Sequence, residues 1–459
     1  MGSNPTFGTK TNNDDEDDLQ RLLGIGDTQD RRLDIASALL AGVFIVYLLV
    51  KALPGLPDAY SDPAIKTTDF RFLYNAGVIV TSGDAKQLYG PEPDAASWAA
   101  EKGYIYSVWY PYPPSVALAT GALQPLGRDG AATAWRALVG LSITALGLLV
   151  AREFRSWPWR LAVFLALFCW EPLVLNARIG QTGAFIAVAT ALAMLVFLRN
   201  KNLGAILFGL IAVKPTAVIG PSLLIFPEKL GVWARYAGTA AAIILTPFIY
   251  LGFDQFKRWL NVLSTRGADD VGSVGAQHYY NQGITSVFGG AGYLGLIVAI
   301  ILLIAAAFAV SEVLKRLGPY AGAAFVLAGA AVVNPHNLIY DWGTAFIVVL
   351  LLRRSELVPA KYAELAMGAL AISLFAAGQI AWDVRYSLYT FRPLTMWAVC
   401  ISLSLLVVAF WDEIKNLTRP DAKTEAMLAL RDAPVATEDA PSNKARRRRE
   451  RREAARRQS

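Results

Sequence analysis

The residues able to do chemistry in this sequence are few, and they stand in or beside long apolar runs. They are Asp69, Arg71 and Tyr74 in TDFRFLYNAG, Tyr110 to Pro114 in YPYPP, Gln181 in IGQTG, Lys214 in VKPT, Asn281 and Gln282 in YYNQG, and His336, Asn337, Tyr340 and Asp341 in NPHNLIYD. A polar group held near hydrocarbon needs a partner or a task, because leaving it bare is costly. A carboxylate facing a sugar hydroxyl, a cation for a phosphate and an apolar groove for a lipid are the parts needed to transfer a sugar from a lipid-phosphate donor.

Each of these residues also has a plainer reading. Asp69 follows a Thr pair, the setting of a helix cap. YPYPP is a helix-start signal, since proline is tolerated in a first turn. Gly180 to Gly183 reads as a tight turn ahead of an apolar run, with Gln181 bonded to its own loop. His336 is one of two histidines, both in loops, where a lone imidazole is ordinarily a structural hydrogen-bonder; two are too few for a histidine metal site. Lys214 is different: it lies about eleven residues into its run and precedes Pro215, which frees backbone carbonyls, so a role at an anion outweighs snorkelling.

The elements that must position these groups are membrane helices. Of 459 residues, 55% are hydrophobic and 17% charged, against roughly 25% charged in soluble domains. Runs such as DIASALLAGVFIVYLLVKAL are of membrane-spanning length. An all-α polytopic membrane protein follows, with apolar runs at 34–53, 114–127, 131–151, 161–177, 183–199, 203–226, 234–253, 291–314, 320–334, 338–352, 362–381 and 395–411. Taken as twelve spans they place both termini in the cytoplasm, on the side of Lys315, Arg316, Arg353, Arg354 and Lys361. Arg152, Arg155 and Arg160 then fall on the outer side, against the positive-inside rule. A ten-span arrangement, in which 114–127 and part of 203–226 re-enter, repairs this with the same parity.

Three regions flank or interrupt the spans. Residues 1–33 read as a disordered cytoplasmic arm and 412–459 as a largely disordered basic tail; residues 34–411 form the membrane domain. The net charge of +7 resides in Lys444 to Arg457, with nine Lys/Arg and two Glu, a block expected to meet anionic lipid headgroups and not nucleic acid. The outer loops are 54–113 and 254–290, the first expected to carry interfacial helices, as at 93–104 around Trp98. Cys169 and Cys400 lie inside apolar runs as packing residues. No cleavable signal is evident ahead of the first run, and the chain is expected in the inner or plasma membrane as a multi-pass protein.

Asp69-Phe70 with Tyr74, Tyr112-Pro113-Pro114, Gly180-Gln181, Lys214-Pro215, Asn281-Gln282, and Asn334-Pro335-His336 with Tyr340-Asp341 resemble, in that order, glycosyltransferase family 87 over about residues 34 to 410. The resemblance implies a GT-C fold, an outward active site, a polyprenyl-phosphate-sugar donor, inversion at the anomeric carbon and Asp69 as the base. It leads to mannose as the sugar and a lipid-linked or glycan acceptor. Lys214, His336, Gln181, Tyr74 and Arg71 are then expected at the donor, and Asn281, Gln282, Asn337, Tyr340 and Asp341 around the substrates. Two positions depart from the pattern: Gly183 stands where an Asn is expected, and Asn334 where Ser often precedes Pro-His.

The chemistry is coherent by itself. An inverting transfer needs one base for the acceptor's proton, and a partly dry cavity suits a carboxylate to that duty. Lys214 and His336 would stabilise the departing phosphate. The scheme requires no cofactor; Asp69 and Asp341 are the pair that would hold a divalent metal if one took part. The competing class is a transporter or flippase, but a carrier tends to set its ionisable groups at the midplane between repeated halves, whereas here most lie in outer loops.

Overall fold

The computed structural model describes residues 25–66, 68–90, 110–272, 281–283, 292–334, 337–384, 392–418 and 443–457. It divides into two units, Met1–Ala409 and Phe410–Ser459. His336 and the stretch around Trp98 lie outside the described residues. Among the described residues the chain is helical, with one isolated antiparallel bridge, Asn281 with Leu338.

A bilayer core of about 30 Å asks for about 20 apolar residues in one helix. Five helical stretches meet this in length and composition, and a sixth does so if two helices bent by 42° count as one span. They include α1 (Ile25–Tyr47, with its continuation), α4 (Gly127–Ala151), α10 (Leu230–Leu251), α12 (Gly292–Val333) and α14 (Ala360–Asp383). The bent pair is α5 (Trp157–Cys169) and α6 (Glu171–Ile179), where Pro172 sits just inside the second helix. α12 runs to 42 residues, far more than one crossing needs, and breaks at Gly318, φ +74°, ahead of Pro319, between the two runs expected there.

Other runs form shorter pieces. The run at 114–127 begins with α3 (Pro114–Gly121), eight residues, which at 1.5 Å per residue cannot cross. The run at 203–226 breaks in the middle: α8 (Lys201–Leu210) gives way to two short 3-10 turns around Lys214, whose backbone is extended, before α9 (Ile219–Ile225). Pro215, lacking an N–H, ends the helical ladder there. The remaining pieces are α2 (Asp69–Thr81), α7 (Gly183–Phe197), α11 (Phe253–Gly272), α13 (Ala345–Arg354) and α15 (Pro393–Ala409). α2, inside the stretch 54–113, is buried along Phe70, Leu73, Ala76 and Val80 and packs on α3.

Contacts between turns decide which ends of the helices lie together. Glu153 binds Arg354 at 2.6 Å. Glu364 accepts from the Arg155 backbone at 2.5 Å and from Arg353 at 3.2 Å. The turns at 152–156 and 353–364 therefore share one end. Burial alone would raise the Glu153 carboxyl, but hydrogen bonds and charge from Arg354, with Arg152 beside it, hold it below the usual carboxylate range. Lys201 meets Glu228 at 2.8 Å, so the broken segment between them returns to the end it left. The Thr68 hydroxyl donates to the Ile179 carbonyl at 3.1 Å, placing those two turns together as well. A twelve-pass arrangement separates 152–160 from 353–361 and 68 from 179 by the membrane. The ten-pass arrangement, with 114–127 and part of 203–226 re-entrant, joins both pairs.

In the second unit, α16 (Trp411–Thr418) is followed by α17 (Asn443–Arg456), whose described residues are exposed. α17 is rich in the strong helix formers Ala, Arg and Glu.

In a Cys400→Ser background, where the remaining Cys169 is buried, cysteines introduced one at a time at Arg155 and Glu356 are expected to react with an impermeant maleimide from the same side of the membrane, and one at Ser82 from the other. Labelling of 155 and 356 from opposite sides would restore the twelve-pass arrangement.

Candidate active site

The site is built around a turn. α6 ends at Gly180 in the left-handed region, φ +79°, with the Gly180 and Gln181 N–H groups both donating to the Asn176 carbonyl. Glycine serves here twice over: a left-handed residue disfavours a Cβ, and a Cβ at 180 would lie 2.3 Å from that of Phe70. The start of α2 is thus seated directly on this turn. Its N-cap position is Thr68, and Asp69 is the first residue inside the helix. The carboxylate of Asp69 instead accepts from Gln181 Nε2 at 2.5 Å.

Gln181 Oε1 in turn accepts from the Tyr112 hydroxyl at 3.1 Å, and Thr182 Oγ1 lies 3.5 Å from the same phenol. Tyr112 belongs to YPYPP, a motif whose plainer reading from sequence is a helix start. The segment is fastened from two sides. The Tyr89 hydroxyl donates to the Tyr112 carbonyl at 2.8 Å, and Trp259 of α11 donates to the Pro111 carbonyl at 3.0 Å. Burial pushes the Tyr112 phenol up from its ordinary range, so it stays a hydrogen-bond donor.

Lys214, 7% exposed, is ion-paired with Asp341, and its Nζ lies 5.3 Å from the centre of the Tyr340 ring. The second carboxylate oxygen of Asp341 is buried with no hydrogen-bond partner among the described residues. The pair opens on a cavity of about 60 Å³ that Thr190, Asn334, Asn337 and Thr344 also line. The charges of Lys214, Asp341 and Asp69 all act on the Tyr112 phenol. Among the described residues no three His, Cys, Asp or Glu side chains converge as metal ligands.

Asn281 and Gln282 are brought to the same turn region by the bridge to Leu338 and by the Gln282 N–H donating to the Asn337 carbonyl at 2.8 Å. The Asn337 carboxamide donates to the Ala331 carbonyl at 2.8 Å and that of Asn334 to the Thr216 carbonyl at 3.2 Å, tying this turn to the broken segment beside Lys214. The Gln282 side chain is fully buried, and neither amide atom has a hydrogen-bond partner among the described residues. Arg71 stacks over the Phe72 ring at 4.8 Å, and Tyr74 lies 6.0 Å from Phe70, both contacts within α2.

Sequence reasoning missed Asn176. It is wholly buried; its Nδ2 donates to the Pro172 and Tyr340 carbonyls at 2.9 and 3.0 Å, and its Oδ1 accepts from the Ala184 N–H at 3.2 Å. One carboxamide so locks α6, the start of α7 and the turn carrying Asp341. An Asn in the apolar stretch EPLVLNARI was the available signal, because such a group must find partners. It also accounts for Gly183. A Cβ there would lie 2.1 Å from the Tyr340 carbonyl oxygen and 2.8 Å from Asn176 Oδ1. The space for the side chain expected at 183 is occupied in this chain.

These features describe a helical membrane protein with a carboxylate and a buried cation gathered at irregular turns. The model of glycosyltransferase family 87 matches residues 110–340, half of the chain, and the chain belongs to this family. It is a membrane glycosyltransferase. No curated protein and no solved structure matches the chain.

Gly183→Ala is expected to lower the thermal midpoint of the detergent-purified protein and to abolish activity, since backbone must move to admit the methyl; overpacking of this kind costs about 1–3 kcal/mol or more. Unchanged stability would show that the contact with Tyr340 relaxes freely.

Proposed function

We propose that the protein transfers a sugar, mannose by its family likeness, from a polyprenyl-phosphate donor to a lipid-linked or glycan acceptor, with inversion, at the outer face of the cell membrane. Both termini are then cytoplasmic. The observation that supports this reading is that Asn176 ties the turn carrying Asp341, the partner of Lys214, to the start of α7 beside Gln181, which holds Asp69.

In this reading Asp69 takes the proton of the acceptor hydroxyl as that oxygen attacks the anomeric carbon and the polyprenyl phosphate leaves from the opposite face. Lys214 neutralises the departing phosphate. Before the donor arrives, Asp341 holds the ammonium, which makes a charged lysine tolerable so far from water. Gln181, expected at the donor, has its carboxamide committed to Asp69 and Tyr112. The site for the sugar hydroxyls is assigned to Asn281, Gln282, Asn337 and Tyr340, with His336, Arg71 and Tyr74 as further donor contacts.

Incubating the purified protein with polyprenyl-phosphate sugars and a membrane-lipid acceptor extract should release polyprenyl phosphate, most from the mannosyl donor. Absence of release from every such donor would overturn the donor class. Asp69→Asn is expected to lower turnover by about 10²-fold or more with donor binding retained, because an amide cannot take the proton. Near-normal turnover would return Asp69 to a structural role.

Lys214 is tested without leaving a bare buried carboxylate. Asp341→Asn alone should keep affinity for free polyprenyl phosphate, whereas Lys214→Met with Asp341→Asn should lose it, by titration in nanodiscs. Equal affinity in the two proteins would place the phosphate elsewhere.

A further inference from the structure

We propose that Tyr112 and Gln181 are positioning residues for Asp69: the phenol satisfies and anchors the buried Gln181 carboxamide oxygen, and the carboxamide nitrogen holds the carboxylate. This rests on the assignment of Asp69 as the base.

The polarity of the chain follows from what each group can do. An ionised carboxylate only accepts hydrogen bonds, while a carboxamide donates from one end and accepts at the other. Gln181 places Nε2 2.5 Å from Asp69 Oδ2, so its oxygen must face Tyr112, whose hydroxyl donates to it at 3.1 Å. A phenol has a single hydrogen. With that hydrogen on Gln181, the Thr182 hydroxyl at 3.5 Å is left to donate toward the phenol oxygen. Donation thus runs one way, from Thr182 through Tyr112 and Gln181 to Asp69, and ends on the group that must be anionic to act as a base.

The opposite setting of the carboxamide would bring two acceptor oxygens together at Asp69. Gln181 is 6% exposed, so water does not readily replace a missing partner for its oxygen. The ionised Asp69, which can only accept, therefore makes this setting the only satisfied one, and Tyr112 donates to the buried oxygen that the setting leaves facing it. The backbone supports it at both ends: the left-handed turn at Gly180 presents Gln181, and Tyr89 with Trp259 holds the strap that carries Tyr112. Through Trp259 the placement of the base depends on α11, a helix far along the chain.

The test is steady-state kinetics on Tyr112→Phe, Gln181→Leu and the double variant, with the polyprenyl-phosphate sugar as donor. Tyr112→Phe keeps the ring and its packing. Displacing a reacting group by about 1 Å costs on the order of 10²-fold, so kcat should fall by about tenfold or more in each single variant. Donor KM should stay within about twofold, and the double variant should be no slower than the slower single one, because both act through one carboxylate. Full kcat in Tyr112→Phe, a loss confined to KM, or losses that multiply in the double variant would overturn the proposal. Asp69→Asn, assayed alongside, separates the two layers. If it is inactive while Tyr112→Phe runs at full rate, only the positioning role fails; if it turns over normally, the base assignment fails and takes this proposal with it.

Discussion

A lysine buried in an apolar bundle needs an anion close by, and meeting that need shapes the centre of this protein. Lys214 finds Asp341, more than a hundred residues later in the chain. Removing one member of such a buried pair generally costs about 3–5 kcal/mol, because the other is left charged and unpaired. The pair can form only if both segments abandon regular helix. Pro215 breaks one, leaving Lys214 extended between two short turns. The other runs as a 3-10 segment, Ile339–Thr344, before α13 begins. Irregular backbone is tolerated at this depth only where it is buried in protein or lines a cavity, and here it does both.

The same constraint extends outward from the pair. The Tyr340 carbonyl accepts from Asn176, and Asn176 in turn anchors the turn at Gly180 and the Ala184 N–H in the first turn of α7. That turn seats the start of α2 and hands Gln181 to Asp69. Moving Asp341 would therefore disturb Asp69 through a continuous series of bonded groups. The long apolar helices around this core supply rigid walls, while the charged groups at the opposite end, Glu153, Arg354, Arg353 and Glu364, clamp neighbouring turns to one another. Those clamps do for topology what Asn176 does for the site: they fix which helix ends lie side by side.

Much of this was legible in the chain itself. Apolar runs of bilayer length dictated helices, because no other open structure satisfies its backbone in hydrocarbon. The break in α12 was legible as Lys315 to Pro319 between two runs, and the break at Lys214 as a charge and a proline deep in a third. Asp69, Gln181, Lys214 and Asp341 all stood out for one reason, that polar groups in apolar surroundings require partners. Their identities as candidates came from composition; the ordered motifs carried the family.

Pairing was not legible. Nothing in the spacing says that Lys214 meets Asp341, that Gln181 serves Asp69, or that the tyrosine of a helix-start motif completes that chain, since these contacts join segments tens to hundreds of residues apart. The run 114–127 has the hydropathy of a span but ends its helix after eight residues, and a hydropathy sum is blind to where the chain turns back. Likewise Gly183 reads as a missing side chain in sequence and as a filled space in three dimensions. The sequence by itself determined the solvent, the class of secondary structure and the short roster of polar groups, because those follow from the chemistry of each residue in lipid. Only the tertiary structure decided which of them are partners, because a hydrogen bond or ion pair is a property of two groups and of the packing that brings them within reach.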